Sequence, residues 1–327
     1  MTTFIRTQEI EHEIGDRGRF TLRVIDPDVE MRAADGRTAR VRVTFEIRAD
    51  SDAAADEIFE RSRYRVNEGG GSLEVAEPEH DASGAIGSLA RIFGGARRPE
   101  AAVEVTAPPR CDLRYDGVSA DLTASGFTGS QEYRTVSGDL VLDRAGGSVR
   151  IKGVSSDISL RADARIKHLD INTVSGDVSA VAPGIGQMRA ATISGDIELE
   201  GILDDGPQHR VETVSGDLSL GVAQDLTIEV RGLSSDADVR LPHRTEGSRD
   251  RRRYVIGSGK PQLLFSSMSG DVEVRSPRRT THHPRPPAPP ARPSEPSDQL
   301  AILQALEAGE IDVDEAARRL AGGSSNV

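Results

Sequence analysis

Eight short stretches carry the residues best suited to chemistry: VSADL, VSGDL, VSSDI, VSGDV, ISGDI, VSGDL, LSSDA and MSGDV, in chain order. Each places a hydroxyl two residues before a carboxylate. Their serines stand at 119, 137, 155, 175, 194, 215, 234 and 269, and the matching carboxylates are Asp121, Asp139, Asp157, Asp177, Asp196, Asp217, Asp236 and Asp271. Such an array offers three readings: a calcium ladder, a polar face for a glycan, or a solvated face in which serines and carboxylates satisfy one another. Calcium takes about 6–8 oxygen ligands, and the Gly/Asp nonapeptide ladders supply several from each turn. One Asp and one Ser per repeat fall short of that. No metal or other cofactor is therefore expected; Asp139, Asp157, Asp177, Asp196 and Asp217 are the residues a cation would use.

Catalysis would leave a different trace. Glycosidase or lyase chemistry needs carboxylates or arginines that break the repeat and find partners. Asp170, Asp204 and Asp205 break it without recognisable partners, so no catalytic residue is assigned. His12, His80, His168, His209 and His243 are scattered, and the adjacent pair His282 and His283 lies in a Pro-rich stretch. A flat threonine-lined ice-binding face is excluded by the carboxylates and by Gly117, Gly153 and Gly232, which interrupt the Thr column.

The elements that position this array follow from its spacing. Successive motif serines are 18, 18, 20, 19, 21, 19 and 35 residues apart, and the last gap, with "RTEGSRDRRR", leaves room for one degenerate repeat. Period two runs through every copy. On it Val136, Gly138, Leu140 and Leu142 share an inward face, and Thr135, Ser137, Asp139 and Val141 an outward one. The glycine alternates with Ala120, Ser156 and Ser235, which are merely small, so the pattern predicts a tight inward slot inside a continuous strand rather than a positive-φ turn. A less regular second strand, such as "SVRIKGV" or "DLTIEVRG", follows each motif. A strand pair cannot bury an apolar face alone, whereas stacked coils can. The expectation is a mainly β protein: a β-solenoid, parallel β-helix-like, of about eight or more rungs of ~19 residues over 101–275. Carboxylates stacked ~4.8 Å apart repel by about 0.9 kcal/mol in bulk water. The column therefore requires relief from Ser hydroxyls, corner N–H groups, arginines or a cation.

Composition narrows the partners. The 327 residues hold 53 acidic and 41 basic side chains, a net charge of −12, and 3% aromatics with no Trp. That balance disfavours neutralising nucleic-acid phosphates or stacking on bases, so no nucleic-acid partner is expected. Cys111 stands alone and reads as a buried strand residue. The opening "MTTFIRTQEIEHEIGDRGRF" has no apolar h-region and no transmembrane run follows, which gives a cytoplasmic expectation.

The flanks read differently. Residues 1–100 form a β-rich cap, with alternation at Phe20, Leu22 and Val24 and at Val41, Val43, Phe45 and Ile47, a helix over 52–62, and a flexible insertion at 80–99. Residues 85–98 within it, with Arg91, Arg97 and Arg98, offer a peripheral membrane contact against the plainer reading of a mobile loop. Residues 276–296 are a Pro-rich linker. Residues 297–322 form a two-helix hairpin, with Asp312 and Glu315 as a capping box. Too short to fold unaided, it is expected to bury Leu300, Ile302, Leu303, Leu306, Ile311 and Leu320 by self-association or on a protein partner.

With its "TVSGD" repeats and "VEVTAPP" upstream, the chain resembles the bacterial putative-adhesin family of β-strand-repeat proteins of unknown function, over 100–275 and loosely before. The tail "ILQALEAGEIDVDEAARRL" resembles the short SHOCT-like domain that accompanies such repeats. The resemblance implies a β-solenoid-like fold and offers no catalytic residues. The functional expectation is a non-enzymatic cytoplasmic scaffold or interaction protein. The alternatives are an adhesin-like module binding a cation or glycan on the Ser/Asp face, and a solenoid hydrolase or lyase.

Overall fold

The computed structural model describes residues 2–78, 99–248 and 251–277. All but the last residue of the insertion expected at 80–99, most of the Pro-rich linker and the whole 297–322 hairpin lie outside the described residues. The remainder is mainly β, in long parallel stacks, as the repeat predicts.

Each coil contributes to two stacks of strands. In one, Leu22, Tyr115, Tyr133, Ile151, Ile171, Ala190, Val211, Phe265 and Val230 follow one another in register. In the other the column runs Val29, Leu122, Leu140, Ile158, Val178, Ile197, Leu218, Val272 and Ala237. Both columns point inward, and all but Ala237 are buried. Aligned side chains of similar shape form one narrow core along the stack, so no coil needs a core of its own. Three central strands, Leu140–Lys152, Ile158–Asn172 and Val178–Ser194, serve both stacks by bending at an irregular corner. In the first of these, Arg144 and Gly147 take φ of 50° and 71° to make the bend.

The stack begins earlier than position 101. Strands Arg19–Arg23 and Asp28–Ala33 pair in parallel with Asp112–Asp116 and Leu122–Ser125, so "RFTLRVIDPDVEM" is itself a coil. Its corner holds Asp26, Pro27 and Asp28 in place of Ser-Gly-Asp, and that substitution hid it from the motif. Beyond it the chain closes the stack with antiparallel strands, Thr38–Ala49 against Thr2–Glu13 and Arg65–Gly69 against Ser72–Ala76. Helix Asp52–Ser62 covers this end. Ser51 accepts from the Ala54 N–H at 3.2 Å as its N-cap, and Phe59 meets Phe45 edge-on at 5.5 Å.

At the other end the charged insertion is not a degenerate repeat. It forms a hairpin, His243–Ser248 with Arg251–Ile256, antiparallel to Leu226–Ser234. Glu229 fastens it, accepting from Arg231 Nε at 2.6 Å and Arg251 Nε at 2.7 Å. The hydrogen bond from Arg251 is the main reason the Glu229 carboxyl is held below the usual carboxylate range. Cys111 is buried, and desolvation pushes its thiol up to about 12, so it is an inert packing residue.

Candidate functional site

The repeated motif is a corner, not a strand interior. Strand Ser130–Arg134 ends before it and Leu140–Lys152 begins after it. Leu140, Ile158, Val178, Ile197 and Leu218 point inward as expected, but the residues before the serine reverse the expected phase. Thr135, Thr173, Thr192 and Thr213 are buried, whereas Val154, Val174, Ile193, Val214 and Met268 are 41–57% exposed. Alternation holds only within an extended strand. The turn places Thr135 and Leu140, five positions apart, on the same side, so a parity carried across it comes out inverted.

The slot glycine is likewise corrected. Gly138, Gly176 and Gly195 have φ of 113°, 110° and 128°, a region that side chains rarely adopt. A Cβ on Gly176 would also drive into the carbonyl oxygen of Ser156 in the preceding coil. Ala120 and Ser156 occupy the same corner position with ordinary φ and are buried, so there the inward reading holds. The two corner types are compensated. Where Ala120, Ser156 or Ser235 fills the slot, the threonine position is Gly117, Gly153 or Gly232. One inward side chain per corner is all that fits: on Gly232 a Cβ would collide with the Ser235 side chain. The threonine also ties the turn, since Thr135 Oγ1 donates to the Ser137 carbonyl at 3.0 Å and Thr173 Oγ1 to that of Ser175 at 3.0 Å.

The aspartates form a continuous ladder through the main chain. Each accepts at Oδ1 from the backbone N–H of the Asp in the next coil: Asp121 from Asp139 at 2.8 Å, Asp139 from Asp157 at 3.2 Å, Asp157 from Asp177 at 2.9 Å, Asp177 from Asp196 at 2.9 Å and Asp196 from Asp217 at 2.9 Å. It ends with Asp217 accepting from Asp271 and Asp271 from Asp236, both at 2.8 Å. Corner N–H groups are therefore what relieves the stacked carboxylates. Each N–H bond to an ionised oxygen is of the stronger, charge-assisted kind. Oδ2 stays available on the surface, and among the described residues only Asp236 of this column is ion-paired, with Arg252 at 3.4 Å. No cluster of three metal-ligating side chains occurs among the described residues.

The corners thus build a ridge of three parallel columns: apolar Val154, Val174, Ile193, Val214 and Met268, then serines, then aspartates. Ser137, Ser155, Ser175 and Ser194 bridge one another in register, which fixes the spacing. The structure brings together the sequence-predicted candidates Asp139, Asp157, Asp177, Asp196 and Asp217; the hairpin residues Leu300, Ile302, Leu303, Leu306, Ile311 and Leu320 fall outside the described residues. The apolar column escaped the sequence reading. Its signal is the exchange between the position two before the serine and the one just after it, Thr with Gly or Gly with a small side chain, which marks the threonine as an inward residue.

The Toastrack DUF4097 family pattern matches residues 19–275, a span that starts at the coil missed by the repeat. No curated protein matches the chain. Three solved structures are similar to it. One is a putative adhesin from Bacteroides fragilis NCTC 9343, 8% identical, covering 83% of this chain and 97% of its own with a TM-score of 0.48. Another is a putative lipid-binding protein from Parabacteroides distasonis ATCC 8503, 14% identical, with 83% and 97% covered and a TM-score of 0.37. A third is a putative cell adhesion protein from Clostridium sporogenes ATCC 15579, 7% identical, with 83% and 100% covered and a TM-score of 0.26. None of these descriptions names an enzymatic activity. From the first parallel coil to the last, the chain belongs to the Toastrack DUF4097 family.

Proposed function

We propose that the protein is a non-enzymatic binding platform, a rigid solenoid that offers its corner ridge to a macromolecular partner. The observation that carries this reading is the exposed apolar column of Val154, Val174, Ile193, Val214 and Met268, held in register beside carboxylates of which, among the described residues, only Asp236 is ion-paired. Scattered surface apolar residues need no explanation, whereas a contiguous stripe marks an interaction site. The hydrogen-bonded backbone beneath makes the stripe stiff, so docking on it costs little ordering entropy. In this proposal the 297–322 hairpin is a second, separate docking element. The Ser/Asp face as a cation site is the less supported reading, because every Oδ1 from Asp121 to Asp217 is already committed to a backbone N–H. The test is proximity labelling in the native host with wild type and with the Val174→Ser, Ile193→Ser, Val214→Ser variant. A platform loses a defined set of neighbours in the variant. An unchanged set of neighbours defeats the reading.

A further inference from the structure

Resting on the platform reading, we infer that the ridge is a docking track for a cationic amphipathic α-helix of a partner protein, laid along the stack axis. The ridge offers a partner no free main chain. Its backbone is spent: Ser155 N–H donates to the Val136 carbonyl at 2.8 Å, Ser175 to Val154 at 2.7 Å and Ser194 to Val174 at 2.9 Å. The N–H groups of Asp157, Asp177 and Asp196 are bound to the preceding carboxylates. An added β-strand recruits main-chain groups of a sheet edge, and these corners have none to give. Recognition here runs through side chains alone, so the partner must satisfy its own main chain, as a helix does.

The spacing fits that element. Apolar side chains recur every ~4.8 Å along the ridge, and a helix presents one residue per turn every ~5.4 Å. Over the four steps from Val154 to Met268 the mismatch grows to only about 2.4 Å, which rotamers of Ile193 and Met268 can absorb. A helix of about four turns therefore lays one apolar residue beside each of Val154, Val174, Ile193, Val214 and Met268.

Charge decides the flank of that helix. Three positions beyond each exposed apolar residue stands an exposed aspartate whose Oδ1 is held by a backbone N–H, leaving Oδ2 for a partner. Arginine or lysine on one side of the helical apolar stripe would reach this column and meet a carboxylate in every coil. The same charge disfavours a second copy of this chain, because two ridges face to face would bring two aspartate columns together in a protein already at −12.

The experiment uses the full chain and a fluorescent peptide of about 18 residues with one leucine per turn and arginines along one flank of that stripe. A scrambled peptide of identical composition is the control. Anisotropy should give saturable binding that weakens about tenfold, or about 1.4 kcal/mol, in Val174→Ser/Ile193→Ser/Val214→Ser. Asp177→Asn/Asp196→Asn/Asp217→Asn should weaken it to a similar degree while keeping the Oδ1 acceptors. Should the triple serine variant melt early, Ile193→Ser alone should still weaken binding several-fold. No saturable binding, equal binding of the scrambled peptide, or a twofold or smaller effect of the serine variants overturns the proposal. A serine-sensitive dimer in light scattering, or serine-sensitive sedimentation with phosphatidylcholine vesicles, overturns it in favour of a second copy or a membrane. Failure here combined with ridge-dependent neighbours in the host would leave the platform standing and remove only its helical, cationic partner.

Discussion

Gly176 and Asp177 are adjacent and solve opposite problems. Gly176 sits where two coils approach so closely that the Ser156 carbonyl oxygen occupies the space of a Cβ, at a φ of 110°. A non-glycine residue in positive-φ backbone costs roughly 1–2 kcal/mol before any clash, so Gly176→Ala should destabilise by about 2 kcal/mol or more. Asp177 accepts the Asp196 N–H at 2.9 Å through Oδ1 alone. Asn keeps that acceptor, so Asp177→Asn exchanges a charge-assisted bond for a neutral one and removes one member of a repelling column. The two effects oppose each other, and the net shift should stay within about 0.5 kcal/mol. Chemical denaturation of both variants checks this pair. Equal losses would mean that the aspartate holds the corner as firmly as the glycine does.

At the scale of the element, the corner obeys a rule of one inward side chain. "TVSGD" places it at the first position, "GVSSD" at the fourth, and the space between coils holds one of them. Gly153→Thr should therefore destabilise, because its side chain competes with buried Ser156. Adding Ser156→Gly converts the corner into the sequence of its neighbours and should recover most of the loss. A double-mutant cycle measures this coupling, expected to be favourable by about 1 kcal/mol or more; additive effects would refute the compensation. The same rule explains what was legible beforehand. Leu140, Ile158, Val178 and Leu218 were readable as core because they begin true strands, where alternation is dictated by the pleat. Val154 and Val174 were not, because β-branched apolar residues look like core wherever they occur, and only the parity change across the turn sends them outward. The coil Arg19–Ala33 was hidden for a similar reason, since Pro27 serves the corner without resembling the motif.

At the scale of the molecule, coil order departs from chain order. Strand Gln262–Ser269 lies between Gln208–Ser215 and Leu226–Ser234, and Val272–Arg275 lies between Leu218–Gly221 and Ala237–Val239. The aspartate ladder follows space rather than sequence, running Asp217, Asp271, Asp236. The repeat spacing shows a long gap of 35 residues at this point but not the inversion, because every coil carries the same inward pattern and any order of stacking buries it. The excursion over 222–258 is anchored almost wholly to the strand that slips in behind it. Val222 N–H donates to the Arg275 carbonyl at 3.0 Å, Thr227 N–H to the Pro261 carbonyl at 2.9 Å and Thr227 Oγ1 to the Gly259 carbonyl at 2.7 Å. The coil Leu226–Val239 thus has no settled neighbour until the last described segment of the chain arrives, and the two should open and close as one cooperative unit. A chain ending after Ser258 should leave amides of 226–239 and 251–256 exchanging like an unstructured segment, while those of Leu140–Lys152 and Ile158–Asn172 stay protected. A chain ending after Pro277 serves as the control and should match the intact protein throughout the stack. If hydrogen exchange finds 226–239 protected in the shorter chain, the coil can dock directly on Gln208–Ser215, and the inserted strand is an addition to the stack rather than its closing element.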